Sequence, residues 1–280
     1  MEALLNIVSR IQQNQGSRID PTSIPSGFPN FNDVMRGGFQ RARLYIICQK
    51  DSAAESSLLV SLAADVLHFS EDEERVGMIA LNISEEQWMS RLLSNISEVP
   101  LEQILRGRLE HRYLKKLEAT INSPEFDQLE LAAGGYMTLD KVVDTCSDWV
   151  KNKNVEIIFM DYPQLISVPG VSDDQLKIQT VCQALSTLAQ DLEVPVIVSI
   201  PLSNYQNKIG LHQLRQLGPV EPFADVILFL NDCEEETHDS NYKKVLLSIA
   251  KNNNGQLDNL LIRSIPHLVK FVELEHFDVF

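Results

Sequence analysis

The stretch YIICQKDSAAESSLLV, residues 45–60, decides the fold, because a short polar turn joins a continuous apolar run to a second apolar segment. A short continuous apolar run is typical of a strand buried on both faces, and the segment after the turn has helical spacing. Strand, polar turn and helix form the frame of a phosphate-binding loop. The two glycines and the helix-starting lysine that would give such a loop its chemistry are absent.

The same alternation of apolar runs and helical spacing continues along the chain. It predicts strands at 44–48, 76–81, 128–132, 155–161, 194–200, 224–230 and 244–251, and helices at 56–68, 85–97, 101–122, 138–151 and 175–191. Strands that alternate with helices predict an α/β domain with a mostly parallel sheet covered on both faces. The tail VKFVELEHFDVF, residues 269–280, is interpreted as a last strand followed by a partner-binding end.

Composition limits the class of protein. A chain of 280 residues with 44% hydrophobic content suits one large α/β domain. Without a bilayer-length apolar run or a signal segment, we expect a cytoplasmic protein with no membrane contact. The net charge of −15 argues against a main role in gripping nucleic acid, which usually requires a basic surface. The dispersed cysteines and histidines predict neither a metal site nor a disulfide: Cys48, Cys146, Cys182 and Cys233 form no CxxC pair.

The N-terminal segment is predicted to be a separate helix and linker. Leu4, Ile7, Val8 and Ile11 have helical spacing on one face, and the polar, Pro- and Gly-containing stretch NQGSRIDPTSIPSG follows. We therefore divide the chain into a linker helix with its linker at 1–23 and an α/β domain at 24–280. A lone amphipathic helix must dock on its own domain or on a neighbouring subunit to bury its apolar face.

Five separated stretches resemble, in order and spacing, the C-terminal RecA-like motor domain of bacterial replicative helicases of the DnaB type. They are IPSGFPNFNDVMRGGFQRARLYII (24–47), EEQWMSRLLSNISEVPLEQILRGRL (85–109), VEIIFMDYPQLI (155–166), LEVPVIVSI (192–200) and PFADVILFL (222–230). The resemblance runs from about residue 24 to 260 and implies a RecA-like, P-loop-type fold. The N-terminal helix also resembles the linker helix of that family, which packs on the next subunit.

The phosphate-binding loop departs from the family pattern at most of its functional positions. Gln49 and Ala54 stand at the two glycines, Glu55 at the lysine, and Ser56 at the magnesium-binding hydroxyl. The change from lysine to acid turns an attraction for a triphosphate into a repulsion worth at least several kcal/mol. An acid at a helix start also satisfies the dipole that would otherwise attract phosphate. We therefore expect no nucleotide cofactor.

The other catalytic positions implied by the resemblance are also changed. Asn82 stands at the catalytic glutamate, Pro201 at the sensor glutamine, and Asn253 at the arginine finger. Lys251 of the trans-acting cation pair is kept. Asp161 of the Walker B strand is kept too, and it is interpreted either as a magnesium ligand or, preferably, as an acid that caps a strand end.

Three further family positions are retained, namely Gln164 in MDYPQL and the pair Leu214 and Arg215 in the region that resembles a DNA-binding loop. Arg215 is interpreted as either a DNA-phosphate contact or a bridge between subunits. The surrounding stretch NYQNKIGLHQLRQL holds few cations, which disfavours the DNA contact.

Three functions are compatible with these residues. The favoured one is a non-catalytic helicase paralogue, a binding, regulatory or scaffold protein of DNA replication or a related process. Its partners would be a replicative helicase, another replication factor or further copies of itself. The second is an ATPase or helicase with a rearranged site, which requires four catalytic groups to be replaced at once. The third is a non-enzymatic DNA-binding accessory factor, which the acidic composition weakens.

Overall fold

The computed structural model describes residues 20, 22–50, 55–69, 75–107, 109–202, 208–233, 241–253 and 255–274. The predicted linker helix, with Leu4, Ile7, Val8 and Ile11, lies outside these residues, and so does the tail after Leu274. Within the described ranges, no helix is long and apolar enough to cross a membrane.

Nine strands and eight α-helices make up the described part of the chain. The strands are β1 Leu44–Lys50, β2 Arg75–Ala80, β3 Leu129–Ala133, β4 Val155–Asp161, β5 Val196–Leu202, β6 Val226–Asp232, β7 Lys243–Asn252, β8 Asn259–Ile265 and β9 Lys270–Glu273. The helices are α1 Pro29–Val34, α2 Glu55–Phe69, α3 Glu85–Ser97, α4 Leu101–Arg106, α5 His111–Ile121, α6 Leu139–Lys153, α7 Asp174–Leu192 and α8 Leu211–Arg215.

The strands form one sheet in the order β3-β2-β4-β5-β1-β6-β7-β8-β9. Strands β1 to β6 pair in parallel, and β7 to β9 extend the sheet as antiparallel neighbours. The prediction of an α/β fold with a mostly parallel sheet is therefore confirmed. Because β1 lies between β5 and β6, the apolar run at 45–48 lies in the middle of the sheet.

Both faces of the sheet are buried, which is why its strands read as continuous apolar runs. Side chains alternate along each strand, so Tyr45 and Ile47 face the core beneath α2 and α3, whereas Ile46 and Cys48 face the core beneath α6 and α7. All four cysteines are free, and Cys48, Cys146 and Cys182 are buried.

The segment before β1 is tied to the first of these cores. Ile24 and Phe39 form an antiparallel bridge with two backbone hydrogen bonds of 2.9 and 2.7 Å. The Phe39 ring is fully buried, and its centroid lies 5.3 Å from that of Tyr45 and 6.1 Å from that of Phe159. The Asp20 N–H also donates to the Arg36 oxygen at 2.6 Å, so contacts with this segment begin at residue 20.

Several predicted boundaries were wrong. The helix predicted at 101–122 is two helices, because α4 ends at Gly107, which takes the left-handed φ of 64° that glycine tolerates. The strand predicted from residue 194 begins at Val196, because Val194 still donates its N–H to Ala189 at the end of α7. The short helix α1 and the strand β8 were not predicted.

Candidate functional site

The parallel strands place their carboxyl ends along one edge of the sheet, where α/β folds bind ligands. Gln49, Asp161 and Ser199 lie there, at or near the ends of β1, β4 and β5. By strand alternation their side chains share the face covered by α2, with Ile47, which belongs to that core. Asp161 is fully buried and is paired in register with Ser199 of β5.

Gln49 occupies the position of the first glycine in the resembled loop. Its side chain is only 2% exposed, and its amide nitrogen donates a 2.8 Å hydrogen bond to the Ser199 hydroxyl. Within the described ranges no group donates a hydrogen bond to its buried Oε1. A side chain held between two strands occupies space that a glycine would leave open for a ligand. Sequence reasoning did not anticipate Ser199, although a polar residue inside the apolar run VPVIVSI was a signal.

The remainder of the loop is only partly described. Lys50 turns toward β6, where its Nζ lies 3.5 Å from Oδ2 of Asp232. Residues 51–54, including Ala54, lie outside the described part, and so do the side chains of Glu55 and Ser56. Helix α2 begins at Glu55, as the phosphate-loop frame requires. The expected loss of phosphate binding stays a prediction.

The positions of the catalytic glutamate and the sensor glutamine lie along the same edge. Asn82 follows β2, and its buried Oδ1 has no hydrogen-bond partner within the described part of the chain. The nearby Glu85 and Glu86 are exposed on α3, as surface residues. Pro201 lies in β5 and pairs with Gln49 of β1. The pairing of β5 with β4 ends at Ser199, so the N–H that a proline lacks is not needed there.

The Walker B strand β4 leads into a strained turn. Tyr162, the residue after Asp161, has φ 62° and ψ 77°, a left-handed conformation that costs a non-glycine residue free energy. In the short helical turn that follows, the buried Oε1 of Gln164 has no hydrogen-bond partner in the described ranges. Both interpretations of Asp161 stay open.

The residues at the trans-acting positions are bound within their own chain. Lys251 donates hydrogen bonds from Nζ to the backbone oxygens of Glu221 and Ala224, at 2.8 and 2.6 Å. Asn253 bonds Asp225 twice, from its backbone nitrogen at 3.0 Å and from its amide at 3.3 Å. Both side chains thus tie the end of β7 to the segment that leads into β6.

Arg215 is held in a bidentate ion pair with Glu221, with nitrogen-to-oxygen distances of 2.6 and 3.1 Å. The guanidinium holds the pKa of the Glu221 carboxyl below its usual range. Leu214 beside it is fully buried. A contact from Arg215 to a DNA phosphate would have to compete with this internal partner, which the sequence did not reveal.

Comparisons with known proteins place the chain in a family. The family model described as DnaB-like helicase C terminal domain matches residues 23–273. The Replicative DNA helicase DnaC of Bacillus subtilis (strain 168) is 25% identical over 98% of this chain and 62% of that protein. The Replicative DNA helicase DnaB of Geobacillus stearothermophilus is 27% identical over 91% of this chain and 57% of that protein. The chain thus spans about six-tenths of the length of these curated relatives.

Solved structures agree on the fold. A solved ATPase domain superposes on this chain with a TM-score of 0.84 at 23% identity, over 98% of both chains. A second structure, of a DnaB-like replicative helicase and its interactions with primase, gives a TM-score of 0.82 at 23% identity, over 98% of this chain and 66% of that one. The resemblance inferred from the five sequence stretches is confirmed, and the chain belongs to the DnaB-like helicase C-terminal domain family.

Proposed function

We propose that this chain is a non-catalytic member of its family that acts in DNA replication or a related process through subunit-type contacts. The partners would be a replicative helicase, another replication factor or further copies of the chain. The observation that supports this most is Gln49, which is buried and bonded to Ser199 where a phosphate-binding loop needs a glycine. The internal bonds of Lys251 and Asn253 add support, because a trans-acting cation must reach a neighbouring subunit.

The first test is nucleotide binding. We expect the chain to show no saturable binding of Mg·ATP up to about millimolar concentration, because Glu55 opposes the triphosphate charge. A triple variant, Gln49→Gly with Ala54→Gly and Glu55→Lys, restores the loop pattern and is expected to gain binding in the same fluorescence titration. ATP hydrolysis by the natural chain that disappears in Asp161→Asn would overturn the proposal.

A surface suited to subunit-type contacts lies on α4 and α5. Leu114, Leu117 and Ile121 follow helical spacing on one face of α5, and Ile121 is 60% exposed. Leu105 of α4 is 63% exposed. In the proposal this exposed apolar face accepts the apolar residues of the predicted linker helix from another subunit.

The second test is association, measured as native mass by light scattering. We expect the chain to assemble with itself or with the replicative helicase of its own cell. The double variant Leu114→Glu with Ile121→Glu should weaken that association at least tenfold, because it puts charge in an apolar contact. Leu257→Glu, at another exposed leucine between β7 and β8, is the matched control. Association that survives the double variant would place the contact elsewhere.

A further inference from the structure

A cavity of about 380 Å³ lies between the last turns of α2 and α3 and the strand β9. Its polar lining includes Asp65, Asn95, Glu98, Lys270 and Glu273. Asp65 stands ten residues after the start of α2, about 15 Å along the helix from the candidate phosphate loop. The cavity is therefore separate from the site described above.

Asp65 lies on α2, whose buried side chains are mostly apolar apart from Ser57 and Ser61. It makes no hydrogen bond and no ion pair with any residue in the described ranges, although the Lys270 charge acts on it. Burial raises the pKa of Asp65 from 3.8 to about 7. Gly27 packs directly on its side chain, so that a Cβ at residue 27 would overlap the Asp65 carboxyl. The carboxyl is partly buried at the wall of the cavity, and no described residue donates a hydrogen bond to it.

Two more oxygen acceptors line the same cavity. Asn95 is only 3% exposed; its amide nitrogen donates to the Val269 oxygen at 2.7 Å, and no described residue donates to its Oδ1. Glu273 accepts the Asn30 N–H at 2.7 Å through one oxygen. Its other oxygen, Oε1, is buried and lacks a donor within the described part of the chain. Burial also raises the pKa of the Glu273 carboxyl.

The charges around the cavity leave it negative. The Lys270 Nζ lies 2.7 Å from Oε1 of Glu98, and this ion pair lowers the pKa of the Glu98 carboxyl. Asp65 and Glu273 have no ion pair in the described ranges. His68 of α2 lies 3.3 Å from Glu125. Farther charges act on the two ends, Asp33 on Glu273 and Lys116 on Glu98. The described residues contain no group of three His, Cys, Asp or Glu that could hold a metal ion.

We propose that this cavity binds an organic cation, a primary ammonium or a guanidinium. An ammonium carries three N–H donors. The cavity offers three acceptors that lack donors among the described residues, on Asp65, Asn95 and Glu273. The positive charge balances the two carboxylates, and the alkyl stem of the ligand lies against Phe28 and Ile96. This chemistry belongs both to a free diamine and to a lysine or arginine side chain of a protein partner.

Isothermal titration of the full chain at pH 8, in a buffer free of amines, tests the proposal. The probes are 1,4-diaminobutane, agmatine, 1,4-butanediol as the uncharged isostere, and the Nα-acetyl amides of lysine and arginine. We expect saturable binding of the cations and none of butanediol. Asp65→Asn should weaken binding at least tenfold. Glu102→Gln, which removes an exposed carboxylate paired with Arg106, should leave it unchanged.

The probes also separate the two sources of the cation. Binding of the capped amino acids with an affinity close to that of the diamine would identify a protein side chain as the ligand. Binding of the free diamines alone would identify a free polyamine. The proposal is overturned if no cation binds, if butanediol binds as well as the diamine, or if Asp65→Asn binds with the natural affinity.

Discussion

Replacing Asp65 with asparagine is expected to raise the free energy of unfolding by about 2–4 kcal/mol at pH 8 and to change it little near pH 4. Burial raises the pKa of this carboxyl from 3.8 to about 7. Between these values the unfolded chain releases the proton while the folded chain keeps it. The contribution of Asp65 to stability is therefore full below about pH 4 and is lost as the pH rises to about 7, by about 1.4 kcal/mol per pH unit.

Urea unfolding at pH 5, 6, 7 and 8, in an amine-free buffer, measures this effect. The difference in free energy of unfolding between Asp65→Asn and the natural chain should grow from pH 5 to pH 7 and level off between pH 7 and pH 8. Glu102→Gln is the control, because Glu102 is an exposed carboxylate whose removal should give a small and constant difference. If Asp65→Asn raises the free energy of unfolding by the same amount at pH 5 and at pH 8, the carboxyl is ionised in the folded state over this whole pH range, which would contradict the prediction.

Replacing Phe39 with alanine is expected to lower the free energy of unfolding by about 3–5 kcal/mol. The ring is fully buried, and its centroid lies 5.4 Å from that of Phe31, 5.3 Å from that of Tyr45 and 6.1 Å from that of Phe159. Alanine would leave a cavity among three rings and weaken the bridge to Ile24 that anchors the start of the domain.

Phe39→Leu is the matched variant for this prediction. It should lower the free energy of unfolding by about half as much as Phe39→Ala or less, because leucine keeps most of the apolar volume. Tyr136→Ala removes an aromatic ring that is 86% exposed, and it should change stability by less than about 0.5 kcal/mol. The midpoint of urea unfolding at one pH compares the three variants. A loss below about 1 kcal/mol for Phe39→Ala would contradict the role given to this ring.

Most of the fold could be predicted from the sequence where burial dictates the pattern. The strand 155–161 and the helix 85–97 were predicted with the bounds that the structure has. The first is buried on both faces, and the second is capped by Ser84, whose hydroxyl accepts the Gln87 N–H. Strand β8 was not predicted because its apolar run, Leu260 to Ile262, is only three residues long and is followed by Arg263 and Ser264.

The candidate site was less predictable, because its residues interact across large separations in sequence. The motifs identified Gln49, Asp161, Lys251 and Arg215 as candidate site residues. They could not show which residues these side chains contact in the folded chain. Ser199 reaches Gln49 only because β5 pairs with β1, and Glu221 reaches Arg215 through a turn between α8 and β6. The carboxyl of Asp65 was overlooked because a single acid in the middle of a mostly apolar helix matches no motif.

The position of β1 in the sheet also affects how the chain folds during its synthesis. Leu44 pairs with Val196, and Tyr45 pairs with Val226, so the central strand has no neighbour before β5 is synthesised and only one before β6 is synthesised. At about 5–20 residues per second, a nascent chain therefore carries an apolar strand with two open edges for on the order of ten seconds. Antiparallel β7, β8 and β9 meet immediately after synthesis. Early protection of the ribosome-bound chain must therefore come from helix α2 packing on β1, or from a chaperone that covers it.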